Sequence, residues 1–520
     1  MQKLPIAGIF VLIFAIVTSG QLPNDNLNSR YRTDQPSRPN ILFAISDDQS
    51  WLHTGAYGDP LVKTPVFDAV AANGALFNHA YTSAPSCTPS RATILTGQHH
   101  WRLGKGANLH STLSTEYTCY TELLEEAGYH VGFSGKGWDP GDYTDGGRTQ
   151  NPAGEAYNQK TYKPDQLPAS GFRPINYAAN FELFMAGKQE DTPFCFWYGG
   201  REPHRPYEDG SGKRHGKDPK SVLVPGHLPD HPDVRSDILD YYLEIEWFDQ
   251  HLGRMIRLLE ELGELKNTLI VVTSDNGMPF PRSKTNLYDT GVRLPLVIQW
   301  LDRFPGGKMF DEMIHFTDFA PTILEAAGLE IPSDMTGTSL LPLLESISGK
   351  DIEWRDHVVF GRERHTVYAN EGRAYGARGI RTHDFLLIQN PNTELWPAGQ
   401  PPHFTDIDRG PSKYMFLSQQ DHQAVVPFLE QTLSRRPEIE LYDSRNDPDQ
   451  RINLAQDPNY KKIRQSLEKT LNTELLRLRD PRTLGQKVSW DRDPYHGGSY
   501  ENWIETQGQQ FEAYKKSRKL

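Results

Sequence analysis

The sequence predicts an α/β protein: a mostly parallel sheet sandwiched by helices, followed by a smaller C-terminal α+β subdomain. Three observations predict it. Short apolar runs, "NILFAIS" from 40, the core of "HVGFSGKG" from 130 and "NTLIVVTS" from 267, lack the alternation of a half-wet strand and read as strands buried on both faces. Helical patterns lie between them, as parallel crossovers require. Beyond about residue 350 the texture changes to short β-like segments broken by Gly and Asn, then a helical pattern.

In chain order, Lys3 precedes the apolar run "LPIAGIFVLIFAIV", and "TSG" at 18–20 supplies small residues for cleavage. This reads as a signal peptide over 1–20, because the run is shorter than the ~20 residues a membrane span needs. No later segment is apolar enough to cross a bilayer, so the mature chain is expected to have no membrane span and to be periplasmic or secreted. A polar leader follows at 21–37. The main domain is expected over 38–350, where "YTELLEEAGY" reads as a helix leading into "HVGFSGKG" and "FCFWY" as a strand. Its clearest helix carries Ile238, Tyr242, Ile245, Phe248, Leu252, Ile256 and Leu259 at spacings of three and four, with Gly263 as its stop. The α+β subdomain is expected over 351–480, ending on the helical pattern "IRQSLEKTLNTELLRLR", and a polar tail over 481–520.

The chain has 520 residues and a net charge of -12, which argues against unspecific nucleic-acid binding, since that draws on excess Lys and Arg. An anionic substrate must therefore meet a local basic cluster. Three cysteines, Cys87, Cys119 and Cys195, are too few for a disulfide framework in an exported protein. Cys119 and Cys195 either pair or are simply buried. Cys87, in "SAPSCTPSRATILTG", needs a chemical explanation.

Two pairs of oxygen-bearing side chains follow strands directly: Asp47 with Asp48, and Asp275 with Asn276. In open parallel sheets ligands sit beyond the carboxyl ends of the strands, so both pairs are expected at one edge. Three carboxylates and an amide suit a hard cation such as calcium or magnesium. Either pair alone would read as a helix cap; two pairs favour the metal reading.

The core "CTPSR", with "ATILTG" after it and the acidic pairs on either side, resembles the signature of the type I sulfatases, a family with an alkaline-phosphatase-like sheet. The resemblance implies that Cys87 is converted to formylglycine (3-oxoalanine) by a maturation enzyme and that one Ca2+ is bound. Asp47, Asp48, Asp275, Asn276 and the modified residue 87 are its implied ligands. A hydrated aldehyde offers one oxygen to attack sulfur and a second to expel the product, which is covalent catalysis with a built-in release step. The cation would lower the nucleophile's proton affinity and neutralise developing charge. Further matches imply that Arg91 steadies the diol, that Lys136 in "GFSGKG" and Lys284 in "SDNGMPFPRSKTNLYDTG" contact sulfate, and that His204 in "GGREPHRPY" stands near the leaving oxygen. The family histidine shortly after the catalytic lysine is absent, since Gly137, Trp138 and Asp139 follow Lys136. Either another histidine, such as His110, replaces it or the site works without it.

Within the family, "EPHRPY", "DNGMPFPRSKTNLY" and "ELYDSRNDP" are most similar to the N-sulfoglucosamine sulfohydrolase (heparan N-sulfatase) branch. The expected function is hydrolysis of sulfate esters or sulfamates from sugars of sulfated polysaccharides. The alternatives are an O-sulfatase on algal glycans such as ulvan, and a phosphodiesterase or phosphonate hydrolase of the same superfamily. Lys213, Arg214, Lys217 and Lys220 after His204, and Arg362, Arg364 and His365 in "FGRERH", are further candidates for gripping the saccharide.

Overall fold

The computed structural model describes residues 38–346 and 352–520. The expected signal peptide at 1–20 and leader at 21–37 lie outside the described residues, as does the expected domain junction near 350.

Among the described residues, nine strands form the main sheet: β1 (Asn40–Ser46), β2 (Ala75–Tyr81), β3 (His130–Gly135), β4 (Glu155–Ala156), β5 (Phe194–Gly199), β6 (Thr268–Ser274), β7 (Arg293–Leu294), β8 (Leu296–Gln299) and β9 (Lys308–His315). Their spatial order is β4-β3-β5-β1-β6-β8-β2-β7, with β9 beside β2. The run from β4 to β6 is parallel throughout, and β8 is antiparallel to β6.

The apolar runs are continuous because both faces of this sheet are covered. Ile41, Phe43 and Ile45 of β1 pack with Phe319, Ile323 and Leu324 of the helix Phe319–Ala326. Leu42 and Ala44 point the other way, onto Phe248, Leu252, Met255 and Leu259 of the long helix Pro232–Glu261. Each fully buried side chain of this size contributes ~1.5–3 kcal/mol relative to an exposed one. The long helix is the one its spacing predicts, and Gly263 follows it with φ +74, a conformation that favours glycine.

The second sheet is antiparallel, in the order β10 (His357–Arg362), β11 (Ala377–Thr382), β12 (Phe385–Gln389) and β13 (Ile439–Asp443). One face carries Phe360, Leu386 and Tyr442 against Tyr81 and Met313 of β2 and β9 and Tyr288 of the loop after β6. The other carries Val359, Ile380, Leu387 and Leu441 against Leu467, Leu471 and Leu475 of the helix Lys461–Arg477.

Residues 481–520, read from sequence as a polar tail, carry a 19-residue helix, Tyr500–Arg518. Its Tyr514 donates to Asp233 at 2.7 Å and its Arg518 donates to the same carboxylate at 2.6 Å, at the first turn of the long helix. Few apolar residues are needed for such docking, so no hydrophobic period announces it. All three cysteines are buried free thiols; Cys119 and Cys195 do not pair.

A buried ion pair ties the two sheets together. Arg381 on β11 donates to both carboxylate oxygens of Asp289, at 2.9 and 3.0 Å. Burial pushes the Asp289 carboxyl up, and the Arg381 guanidinium more than reverses this, holding it at about 2. Because the folded value lies below the unfolded one, this pair stabilises the fold above pH ~4, and the contribution is lost as pH falls toward 2. Urea unfolding should show Asp289→Asn less stable than wild type by about 2 kcal/mol at pH 7. The gap should close as the pH is lowered toward 2, and a pH-independent gap would contradict the assignment.

Candidate active site

Four neighbouring parallel strands, in the order β3-β5-β1-β6, deliver the site from their carboxyl ends. Ser46 of β1 is in register with Ser274 of β6, so the residues that follow, Asp47 and Asp275, emerge side by side. The Asp48 amide donates to Asp275 Oδ1 at 3.1 Å, which holds Asp48 in a left-handed conformation, φ 71, uncommon for a non-glycine residue. On the other side, β3 ends in Gly135 and leads to Lys136, whose amide donates to the Gly199 carbonyl at the end of β5 at 2.7 Å. A Cβ on Gly199 would lie 1.9 Å from the Lys136 carbonyl oxygen, so only glycine permits this approach. The chain leaving β5 then carries His204.

Cys87 is the first residue of the helix Cys87–Thr96, whose ten residues are all buried. Its Sγ lies 3.5 Å from Asp47 Oδ1, 3.9 Å from Asp48 Oδ1 and 3.7 Å from Asn276 Nδ2. Arg91, one turn on, is fully buried: its Nε donates to Asp275 Oδ2 at 2.8 Å and its Nη1 to the Lys136 carbonyl at 2.7 Å. Lys136 Nζ donates to Asp47 at 2.7 and 2.8 Å. Lys284 Nζ donates to Asp48 at 2.7 Å and lies 3.2 Å from Asp408. Lys284 is offered by a loop that passes through left-handed conformations on either side of it, at Arg282 and Thr285. His204 Nε2 is 3.8 Å from Asp48 Oδ2, while its Nδ1 faces the Arg205 carbonyl at 2.7 Å. The residues expected to hold the metal and to contact the sulfate group thus converge on one place.

The donor set fits a hard cation. One ligand atom each from Asp47, Asp48, Cys87 and Asp275 lie within 4.8 Å of one another, all buried. Asn276 Oδ1 is buried among them without a hydrogen-bond partner. The local charge also calls for more positive charge than the side chains supply. Burial pushes Asp47 up, but Lys136, His204, Arg91 and Lys284 hold it well below the usual carboxylate range. Asp48 stays well above it, raised by burial and by Asp47 beyond what Lys284 offsets, and Asp275 is raised by burial and by Asp47. Burial, only partly offset by Lys136 and Lys284, pushes the Cys87 thiol up as well. Desolvation and Lys284 lower His204 to about 4.

A cavity of about 460 Å³ opens above Cys87, lined also by His110, His204, Lys284 and His365. His110 therefore reaches the site from a loop far from Lys136, whereas Trp138 is buried and Asp139 pairs with Arg201 at 3.0 Å. Of the candidates for saccharide contact, His365 lines the cavity and accepts or donates at Ser86 Oγ, 2.9 Å away. Arg362 is instead buried against Asp406 at 3.0 Å, and Arg364 donates to the Asp493 carbonyl at 2.9 Å. Lys213, Arg214, Lys217 and Lys220 do not line the cavity, and Arg214 and Lys217 are paired with Glu208 and Glu246. Sequence reasoning missed Asp408, which sits in an irregular loop with no motif around it.

Comparison with known proteins gives a consistent result. The sulfatase family model matches residues 39–329, and the model described as N-sulphoglucosamine sulphohydrolase, C-terminal, matches 282–436. An ulvan-active sulfatase of Formosa agariphila is 29% identical over 441 residues, covering 84% of this chain and 79% of the relative. Human N-sulphoglucosamine sulphohydrolase is 29% identical over 511 residues, covering 88% and 96%. A solved structure, described as a complex with its substrate D-glucosamine-2-N,6-O-disulfate, superposes with a TM-score of 0.62 at 22% identity, covering 88% of this chain and 100% of the other. At that identity the likeness carries the fold.

The cluster predicts a divalent-cation site that depends on Asp275. Calorimetric titration of chelator-treated protein with calcium should show one site per chain. Asp275→Ala should weaken it by more than the ~10–100-fold that losing a ligand's supporting partner costs. Unchanged affinity would remove Asp275 from the ligand set.

Proposed function

The chain belongs to the sulfatase family, and from that premise we propose that it removes sulfate, as O-ester or N-sulfamate, from sugars of sulfated polysaccharides, with residue 87 as formylglycine and calcium as its cation. It is a sulfuric ester hydrolase. The substrate class is supported by the two relatives above, an ulvan-active sulfatase and an N-sulphoglucosamine sulphohydrolase. Export to the periplasm or the exterior is supported by the apolar run after Lys3; among the described residues no helix is long and apolar enough to cross a membrane.

The observation that carries the reading is the company Cys87 keeps. A cysteine that acts as thiolate needs a neighbouring imidazole or cation to lower its pKa. Lys136 and Lys284 stand nearby, but the Cys87 sulfur itself meets two carboxylates and an amide, and burial pushes its thiol up beyond what the two ammonium groups offset. That surrounding is poor for a thiolate and good for an oxygen-bearing residue sharing a cation with Asp47, Asp48, Asp275 and Asn276. When present, the hydrated aldehyde and the cation supply a nucleophile of low proton affinity and a counter-charge for the departing group.

The chain's own residues do the rest. Lys284 holds an ammonium at the wall of the cavity and Lys136 holds one behind it on Asp47, so that sulfate oxygens can take over donors now given to Asp48 and Asp47. Arg91, enclosed and bonded to Asp275 and to the backbone after β3, is a positioning residue that locks these strand ends together. His204 keeps Nδ1 on a backbone carbonyl, so its Nε2 is the nitrogen free to carry a proton to the leaving oxygen. An anionic ester beside it raises its proton affinity from the low value of the free site, so the proton is in place when substrate is.

The peptide containing residue 87, taken from active protein, should be lighter than its cysteine form by the exchange of a sulfur and two hydrogens for one oxygen. Cys87→Ala should abolish sulfate release while leaving the circular dichroism spectrum unchanged. An active protein with an intact thiol, or near-normal turnover by the variant, would overturn the proposal.

A further inference from the structure

The cavity above Cys87 extends past the reacting end, and part of its far wall comes from residues 495–506, in the polar segment after residue 480. Tyr495 and Trp503 face the cavity there, together with Tyr368 from the connection between β10 and β11. The three rings form one cluster. Tyr368 lies 5.4 Å from Tyr495 and 6.3 Å from Trp503, centroid to centroid, and Tyr495 lies 4.8 Å from the His110 ring. All three aromatics are half-buried, so apolar ring surface is left facing water inside a polar cavity. Uncovered apolar surface of this kind costs ~25 cal/mol per Å² until something covers it.

The wall is held in place before any ligand arrives. The His496 amide donates to the His110 carbonyl at 2.8 Å, Arg364 donates to the Asp493 carbonyl at 2.9 Å, and Asn108 donates to the Trp490 carbonyl at 2.6 Å. Tyr368 donates to the Gly498 carbonyl. These bonds pin the C-terminal segment to the loop that follows the Cys87 helix and to the second sheet, which is the support a precise binding wall needs.

Polar groups border the rings. Asp408 Oδ2 is paired with Lys284 but accepts no hydrogen bond, and Arg409 lines the cavity with its guanidinium 5.6 Å from the Trp503 centroid. A sugar ring has the matching anatomy, with a face of C–H groups and an edge of hydroxyl and anionic substituents. An apolar ligand would strand the two charges, and a free sulfate ion would leave the rings uncovered.

We propose that Tyr368, Tyr495 and Trp503 stack on the sugar that carries the scissile sulfate, with Asp408 and Arg409 holding its polar edge, so that the C-terminal segment selects the saccharide. The proposal rests on the reading above that the substrate is a sulfated saccharide. It is tested in the full-length Cys87→Ala protein, where binding is read without turnover, by calorimetry with sulfated disaccharides of heparan and of ulvan type and with inorganic sulfate as a separate probe. Trp503→Ala in this background should weaken saccharide binding about tenfold or more, as loss of an aromatic anchor does, and leave sulfate binding within about twofold. Trp503→Phe should restore most of it, and Tyr495→Leu provides the same test should the tryptophan variant fold poorly. The proposal is overturned if no disaccharide binds, if Trp503→Ala and Tyr495→Leu leave saccharide affinity unchanged, or if saccharide and sulfate weaken by the same factor. Wild-type protein that releases no sulfate, beside a Cys87→Ala protein that binds saccharide through Trp503, would support the stacking wall and remove the proposed reaction.

Discussion

Asp47, Asp48 and Asp275 are buried together at the ends of two adjacent parallel strands, and like charges so placed cannot all stay ionised without compensation. Much of the surrounding structure answers that constraint. Lys136 arrives from β3, Lys284 from the loop after β6, and Arg91 from the Cys87 helix, each aimed at one of the three carboxylates. Isolated charges would cost several kcal/mol each in such a setting, so none of the three cations is separable from its partner.

The same constraint explains why a polar helix lies in the core. The segment "CTPSRATILT" is wholly buried although half of it is polar. Arg91 must cross from that helix to reach Asp275, and the helix must lie under the strand ends for Cys87 to stand among the carboxylates. Several of its hydroxyls find partners on the way: Ser90 accepts from Thr82 at 2.8 Å, and Thr96 donates to the Ala92 carbonyl at 2.7 Å. Burial thus serves geometry here, and the apolar faces of the main sheet supply the stability that permits it.

The second sheet belongs to the site as well as to the fold. Its strands carry few groups into the cavity, but the connection between β10 and β11 brings His365 and Tyr368 there. Arg381 of β11 holds this sheet to Asp289, five residues beyond Lys284, so the placement of a lysine and the docking of the second sheet share one stretch of chain. The helix Tyr500–Arg518 closes the arrangement by anchoring on Asp233 of the long helix.

Much of this was legible in the residues alone. Continuous apolar runs declare strands covered on both faces, the spacing of Ile238 to Leu259 declares a helix, and acidic pairs directly after strands declare one shared edge, because backbone period and strand ends are local properties. The motif around Cys87 is local too, and it pointed to the chemistry. Asp408, the aromatic wall and the fate of Arg362, Arg364 and the basic loop after His204 were decided only in three dimensions. A side chain in an irregular loop carries no period to read, and whether its charge faces a ligand or an internal partner depends on which distant segment packs against it. Arg362 met Asp406 and turned inward, while Tyr495 and Trp503, in a stretch too polar to signal a core, were brought to the cavity by a few hydrogen bonds.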